Sequence, residues 1–239
     1  MQETKEIKEH KKLCIKRVVT SIIFFVIIPI LILFGINVWN DKKYYIISVL
    51  VMLFSVIPLV INFEGKKPTA RKLVIIAVMT ALSVVSRAAF YMLPQFKPVI
   101  AMIIITAVAF GSEAGFITGA CTGCISNFFF GQGPWTPWQM FGFGVVGFIA
   151  GLVFYNRNIR LIPLCIFGGF ATLLIYGITV DTGTAFMYSS HITFSILIAV
   201  YSSGFIFNII HAVSTIVFLA MLSKPMLKKL TRIKNKFMI

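Results

Sequence analysis

The amino-acid sequence predicts an all-α polytopic membrane bundle of eight spans with both termini cytoplasmic. Three observations lead there. Hydrophobic residues make up 59% of the 239 and charged residues 12%, against about half and about a quarter in soluble domains. The mean hydropathy is +0.95. The charges lie in short blocks separated by long apolar stretches. A water-soluble globule is excluded, and the wealth of Phe, Ile, Val and Leu excludes disorder. The net charge of +15 does not mark a nucleic-acid binder, because the cations are parcelled out between the apolar stretches.

A helix crossing a ~30 Å hydrocarbon core needs about 20 mostly apolar residues. Val18–Trp39 and Tyr44–Phe63 come first, rich in Ile, Val and Phe and expected mostly to face lipid. With the basic start before them, residues 1–63 form one part. The first stretch is too long for a signal peptide and no small-residue cleavage site follows it, so it is read as a retained span. Residues 64–70 form a cytoplasmic linker to a six-helix part, residues 71–222. Its stretches are Leu73–Leu93, interrupted by Arg87, then Pro98–Gly111, Ala114–Phe130, Met140–Tyr155, Leu161–Val180 and Ile192–Leu222. Residues 223–239 are a basic cytoplasmic tail. With eight spans, all of the 22 Lys and Arg residues except Lys42, Lys43, Arg87 and Lys97 fall on one side, which the positive-inside rule makes cytoplasmic. Ile192–Leu222 exceeds the length of a span, but dividing it would strand the basic tail outside. One long, tilted or protruding helix is expected.

Within the second part the small residues are patterned. Gly115, Gly119 and Gly123 share one helical face, as do Gly147 and Gly151, and such faces let helix backbones approach closely in lipid. Ala77 and Ala81 form another such pair, which packs internally or meets another membrane subunit; spacing alone leaves both open. Cys121-Thr-Gly-Cys124 has C-x-x-C spacing but lies in an apolar run without a second pair, so packing is preferred to metal or redox chemistry.

The segment Asn127–Met140 is the least ordinary. Its two prolines and two glycines are expected to break any helix, on the extracytoplasmic side. Trp135 and Trp138 suit interfacial anchors, yet Asn127, Gln132 and Gln139 set amides beside those rings. Aromatics with a few placed polar groups describe a small-molecule pocket, which is the preferred reading. Arg87 lies about 22 Å along its helix from Lys72, and an intramembrane charge is a functional candidate by default; it snorkels to headgroups or faces a cavity. Helical spacing puts Tyr91 on the face of Arg87. Gln95 and Lys97 follow in the turn. The two cations attract an anionic substrate, or Asp181 pairs with one of them. Glu113 reads as a charge at a helix N-terminus. His191 and His211 lack metal-ligand spacing and read as satisfied packing residues. The charged ends suit anionic lipid headgroups.

No Ser-His-Asp, paired-carboxylate or His-Glu-x-x-His arrangement is present, no cofactor is implied, and there is no ATP-binding motif. Uphill movement of a solute would draw its energy from another chain. A stand-alone secondary transporter or channel is the alternative, disfavoured by the shortage of intramembrane carboxylates; a membrane assembly subunit is a third.

Arg71-Lys-Leu, Arg87-Ala-Ala-Phe, Leu-Pro-Gln-Phe-Lys-Pro98, Gly-Ser-Glu-Ala-Gly-Phe116 and Ser126-Asn-Phe-Phe-Phe-Gly-Gln-Gly-Pro-Trp-Thr-Pro-Trp-Gln-Met140 resemble the substrate-binding S components of energy-coupling factor (ECF) vitamin transporters. The resemblance covers roughly residues 65–222 and implies a six-helix S-component-like core, carrying here two extra N-terminal helices. It implies a subunit without catalysis that captures a vitamin and docks on a transmembrane coupling subunit bearing two cytoplasmic ATPases. The family's alanine pair at that interface maps onto Ala77 and Ala81, and its gating loop onto Met92–Lys97. The cargo is not named by the resemblance. The Trp rings and many Phe residues suit a large or flat apolar ligand, with a weak preference for cobalamin or another corrinoid.

Overall fold

The computed structural model describes residues 18–39, 46–47, 49–51, 53–54, 57, 70–188 and 193–237. The basic N-terminus with Cys14, most of the second apolar stretch, Lys42, Lys43, the linker before Ala70 and His191 lie outside the described residues. Among those described the chain is helical with no strand. We number its helices α1 (residues 18–39), α2 (Ala70–Ala89), α3 (Val99–Phe110), α4 (Ser112–Phe130), α5 (Trp135–Phe154), α6 (Leu161–Tyr188) and α7 (Phe194–Phe237). The described residues of 46–57 are helical too.

Among the described residues four helices, α2, α5, α6 and α7, are long and apolar enough to cross a membrane. At 12 residues α3 spans only about 18 Å, and α4, rich in Gly, Ser and Thr, falls short in apolarity. These two form the centre of the bundle. Ile100, Ile103, Ile104 and Ile105 of α3 are all fully buried, as expected of a helix apolar all round.

The closest approach is between α4 and α5, and glycine makes it possible. A Cβ on Gly115 would stand 2.5 Å from the Gly147 carbonyl oxygen, and one on Gly119 would overlap the Phe143 carbonyl. In lipid, where burial of apolar surface drives little, such close backbone packing is a main source of association.

The N-terminal helix does more than face lipid. Its π-helical turn Ile23–Ile27 presents a fully buried Phe24 to the α4–α5 pair, stacked on Phe116 at 3.7 Å between centroids and edge-on to Phe148 at 5.0 Å. Val26 and Ile30 are exposed on the other side. One face packs while the other is left for the bilayer.

At the opposite end of the chain, α7 runs unbroken for 44 residues, about 66 Å. The long helix expected from the sequence is present, and the basic segment after Leu222 continues it. Lys234 donates to the Tyr155 hydroxyl at 3.2 Å, and Arg71 to the Phe237 carbonyl at 3.5 Å. This basic end of the bundle gathers the start of α2, the α5–α6 turn and the end of α7.

Candidate functional site

At the far end of α2, two residues before the helix stops, Arg87 turns into the bundle rather than outward. Its guanidinium donates to the Asn127 side-chain oxygen at 2.9 Å and to the Ser126 hydroxyl, both on α4, and lies 5.0 Å from the centroid of the Phe130 ring. Placing an arginine inside a membrane helix costs on the order of 2.5–3.5 kcal/mol on insertion scales. Two hydrogen bonds and a cation–π contact worth about 0.5–2 kcal/mol offset that cost here.

Asn127, only 1% exposed, is the hub. It accepts from Arg87 and donates to the Thr136 hydroxyl and the Gln139 side-chain oxygen, each at 3.0 Å. Thr136 in turn donates to the Gln132 side-chain oxygen at 2.9 Å, and Gln132 donates to the Cys124 carbonyl at 3.0 Å. The chain break holding this network together is shorter than its sequence suggests. Only residues 131–134 leave the helix, with Gly131 at φ 100°, and α5 restarts at Trp135. Pro137 is tolerated because it falls in the first turn, where backbone N–H groups have no intrahelical partner. Trp135, Trp138 and Gln139 are therefore helical rather than in an open loop.

The aromatic side centres on Phe130. Tyr91 stacks on it at 5.3 Å and Lys97 points its ammonium at the ring from 5.8 Å. Partial burial first, and the neighbouring Arg87 charge second, hold the Lys97 ammonium below its ordinary pKa. Helix α2 ends at Ala89, so Tyr91 reaches this ring from a turn instead of along the helical face of Arg87.

Of the nine residues singled out in the sequence, Arg87, Tyr91, Lys97, Asn127, Gln132 and Gln139 thus converge. The other three do not join them. Gln95 sits in the tight turn before Lys97 with φ 53°. The Trp135 ring lies against Gly133 and remains 38% exposed. Trp138 is buried against Phe186 and Gly183 of α6. Three members of the cluster escaped the sequence reading: Ser126, Phe130 and Thr136. Each lies in the motif itself, but nothing in the order of residues says which of its hydroxyls and rings turn towards Arg87.

Two further expectations change. Asp181 does not meet Arg87 or Lys97 in the contacts seen; it accepts from Asn208 at 2.7 Å. His211 is buried, yet neither of its ring nitrogens has a hydrogen-bond partner among the described residues, so it is not a satisfied packing histidine. Glu113 does sit in the first turn of α4. Cys121, Cys124 and Cys165 carry free thiols, and among the described residues no cluster of three or more His, Cys, Asp or Glu could hold a metal.

Ala77 and Ala81 lie on the exposed side of α2 and line an apolar cavity of about 450 Å³ with Leu73, Val85, Ile117 and Ile125. A larger one of about 620 Å³ lies between the first turns of α2 and the end of α7. No residue of the Arg87 cluster lines either.

A helical bundle with several membrane-crossing helices and a buried cation pinned between two of them defines a multi-pass membrane protein. Known proteins say which kind. The family model for ECF-type riboflavin transporter, S component, matches residues 67–228, and the chain belongs to that family. Its members are substrate-binding subunits of transporters, not enzymes. A UPF0397 protein of Vibrio atlanticus is 29% identical over 126 residues, covering 49% of this chain and 69% of the relative. UPF0397 proteins of Aliivibrio fischeri and Aliivibrio salmonicida are 32% identical over 89 residues, 35% of this chain. The chain spans about half the length of these Aliivibrio relatives, 48%. No solved structure matches it significantly. The matched region takes in α2 to α6 and most of α7, and with them the whole Arg87 cluster.

Proposed function

We propose that this chain is the substrate-capture subunit of an ATP-driven ECF-type vitamin importer in the cell membrane. In this reading residues 71–222 form the binding core, residues 1–63 an appended two-helix part joined by the linker 64–70, and the basic end with both termini faces the cytoplasm, as the positive-inside rule favours. Cargo binds at the opposite end, where Arg87, Tyr91, Gln95, Lys97, Asn127, Gln132, Trp135, Trp138 and Gln139 lie. The observation that carries the reading is the inward turn of Arg87: a cation held off the headgroups by Ser126 and Asn127, beside a stacked aromatic pair, is suited to receiving a polar, flat ligand.

The family's description favours riboflavin as that ligand. The corrinoid preference rests on the two Trp rings together with many Phe residues, and Trp138 is already packed on Phe186. The Tyr91–Phe130 stack that remains suits a flat ring better than a bulky macrocycle. Ala77 and Ala81 are the proposed seat of the transmembrane coupling subunit, which carries the two cytoplasmic ATPases. Their exposure, and the apolar groove beside them, support that role.

The test is to purify the chain gently, identify any retained small molecule by mass spectrometry, and titrate it with riboflavin and with cobalamin. Saturable riboflavin binding at least tenfold tighter than cobalamin binding is expected, weakened in Asn127→Ala. Tighter cobalamin binding would reverse the choice of cargo, and unaltered binding in Asn127→Ala would remove the proposed site.

A further inference from the structure

Below the Arg87 cluster a second set of side chains is left unspent. His211 is 2% exposed, with both ring nitrogens lacking a partner among the described residues. A histidine that merely fills a core ordinarily satisfies at least one nitrogen, because a buried polar atom without a partner forfeits the hydration it gave up. The neighbouring hydroxyls do not serve it. Thr215 donates to the His211 backbone carbonyl at 2.9 Å, and Ser214 donates to the Lys97 carbonyl at 2.9 Å.

What faces the imidazole is an aromatic wall. Tyr176 meets it edge-on, ring centroids 5.1 Å apart and planes at 90°, and is itself stacked on Phe143 at 4.5 Å. Tyr176 belongs to the π-helical segment Ala171–Gly177 of α6, and single π turns within α-helices gather at functional sites. Ser214, three residues along α7 from His211, is bonded to the Lys97 carbonyl, which ties this stretch of α7 to the turn that carries Lys97 over the Phe130 ring. The pair therefore belongs to the same side of the bundle as the cluster above.

We propose that His211 is a specificity residue of the substrate pocket, whose acceptor nitrogen receives the imide N–H of a flavin ring beside the Tyr176 wall. The proposal rests on the reading of this chain as a flavin-capturing subunit and deepens it. A neutral imidazole offers one donor and one acceptor nitrogen, and the imide edge of an isoalloxazine presents a single N–H between two carbonyls. Nothing among the described residues now competes for the imidazole's acceptor.

The experiment titrates riboflavin and N3-methylriboflavin into the full-length chain in detergent, read by flavin fluorescence. Wild type should prefer riboflavin tenfold or more, His211→Phe should cut that preference below twofold, and His211→Gln should restore part of it. A purely structural histidine would weaken both ligands alike and leave the ratio unchanged. His211→Leu also fills the space without an acceptor, so one well-folded variant of the two suffices. A wild type without preference, or an acceptor-free variant that keeps it, overturns the subsite and leaves flavin capture standing. A wild type that binds neither flavin overturns the cargo reading and the subsite with it.

Discussion

Arg87 donates to the Asn127 side-chain oxygen across 2.9 Å, tying the end of α2 to the end of α4 just before the chain break that leads into α5. The bond joins two helices through a residue that is itself committed to Thr136 and Gln139, so its loss is felt along the whole break.

Arg87→Ala leaves Asn127 and Ser126 each short of a partner. A loss of about 1–3 kcal/mol is expected for buried groups so abandoned, visible as a lower melting temperature in detergent. Arg87→Lys should recover only part, since an ammonium cannot reproduce the fixed fork of a guanidinium. Equal melting of Arg87→Ala and wild type would mean that the bond contributes nothing.

Gly119→Ala tests the close approach of α4 and α5. Its new Cβ would collide with the Phe143 backbone carbonyl, which has no rotamer to escape by. Overpacking of this kind typically costs about 1–3 kcal/mol. Gly131→Ala is the contrast: nothing lies within 4 Å of a Cβ there, so its penalty comes from the backbone alone, φ 100° and ψ 128°, a region that glycine enters readily and alanine only at about 1–3 kcal/mol. A thermal melt of both variants orders them.

Ala77→Leu and Ala81→Leu place bulk on the exposed side of α2, outside the packed core. Ligand binding by the isolated chain should be unchanged within twofold, while ATP-dependent uptake into vesicles holding the coupling subunit and ATPases should fall by tenfold or more. Uptake at wild-type rates would move the docking surface elsewhere.

Phe24→Ala removes the ring stacked on Phe116. In a soluble core a Phe→Ala change costs about 3–5 kcal/mol; here lipid can replace part of the contact, so about 1–2 kcal/mol is expected. No shift in melting would reduce α1 to a tether.

The apolar runs are legible because hydrophobicity, helix length and charge blocks vary along one dimension. The positions of α1, α3 and α4, the single long α7 and the membrane class follow from them directly. The Gly-Gln-Gly-Pro-Trp-Thr-Pro-Trp run, together with the shorter motifs before it, carries the resemblance to the family. Helix α5 begins earlier in this run than its prolines suggest, because Pro137 occupies a first-turn position where a missing N–H costs nothing.

Chain order could nominate Arg87 and Asn127 but could not bring Phe130 and Thr136 to them, turn Trp138 away to Phe186, or leave His211 without a partner. Those outcomes depend on how far each helix is rotated and how closely it approaches its neighbours. That is settled by the glycine faces of α4 and α5 locking backbone against backbone, an interaction between residues distant in sequence. Local chemistry chose the helices and their environment; mutual packing chose which side chains meet.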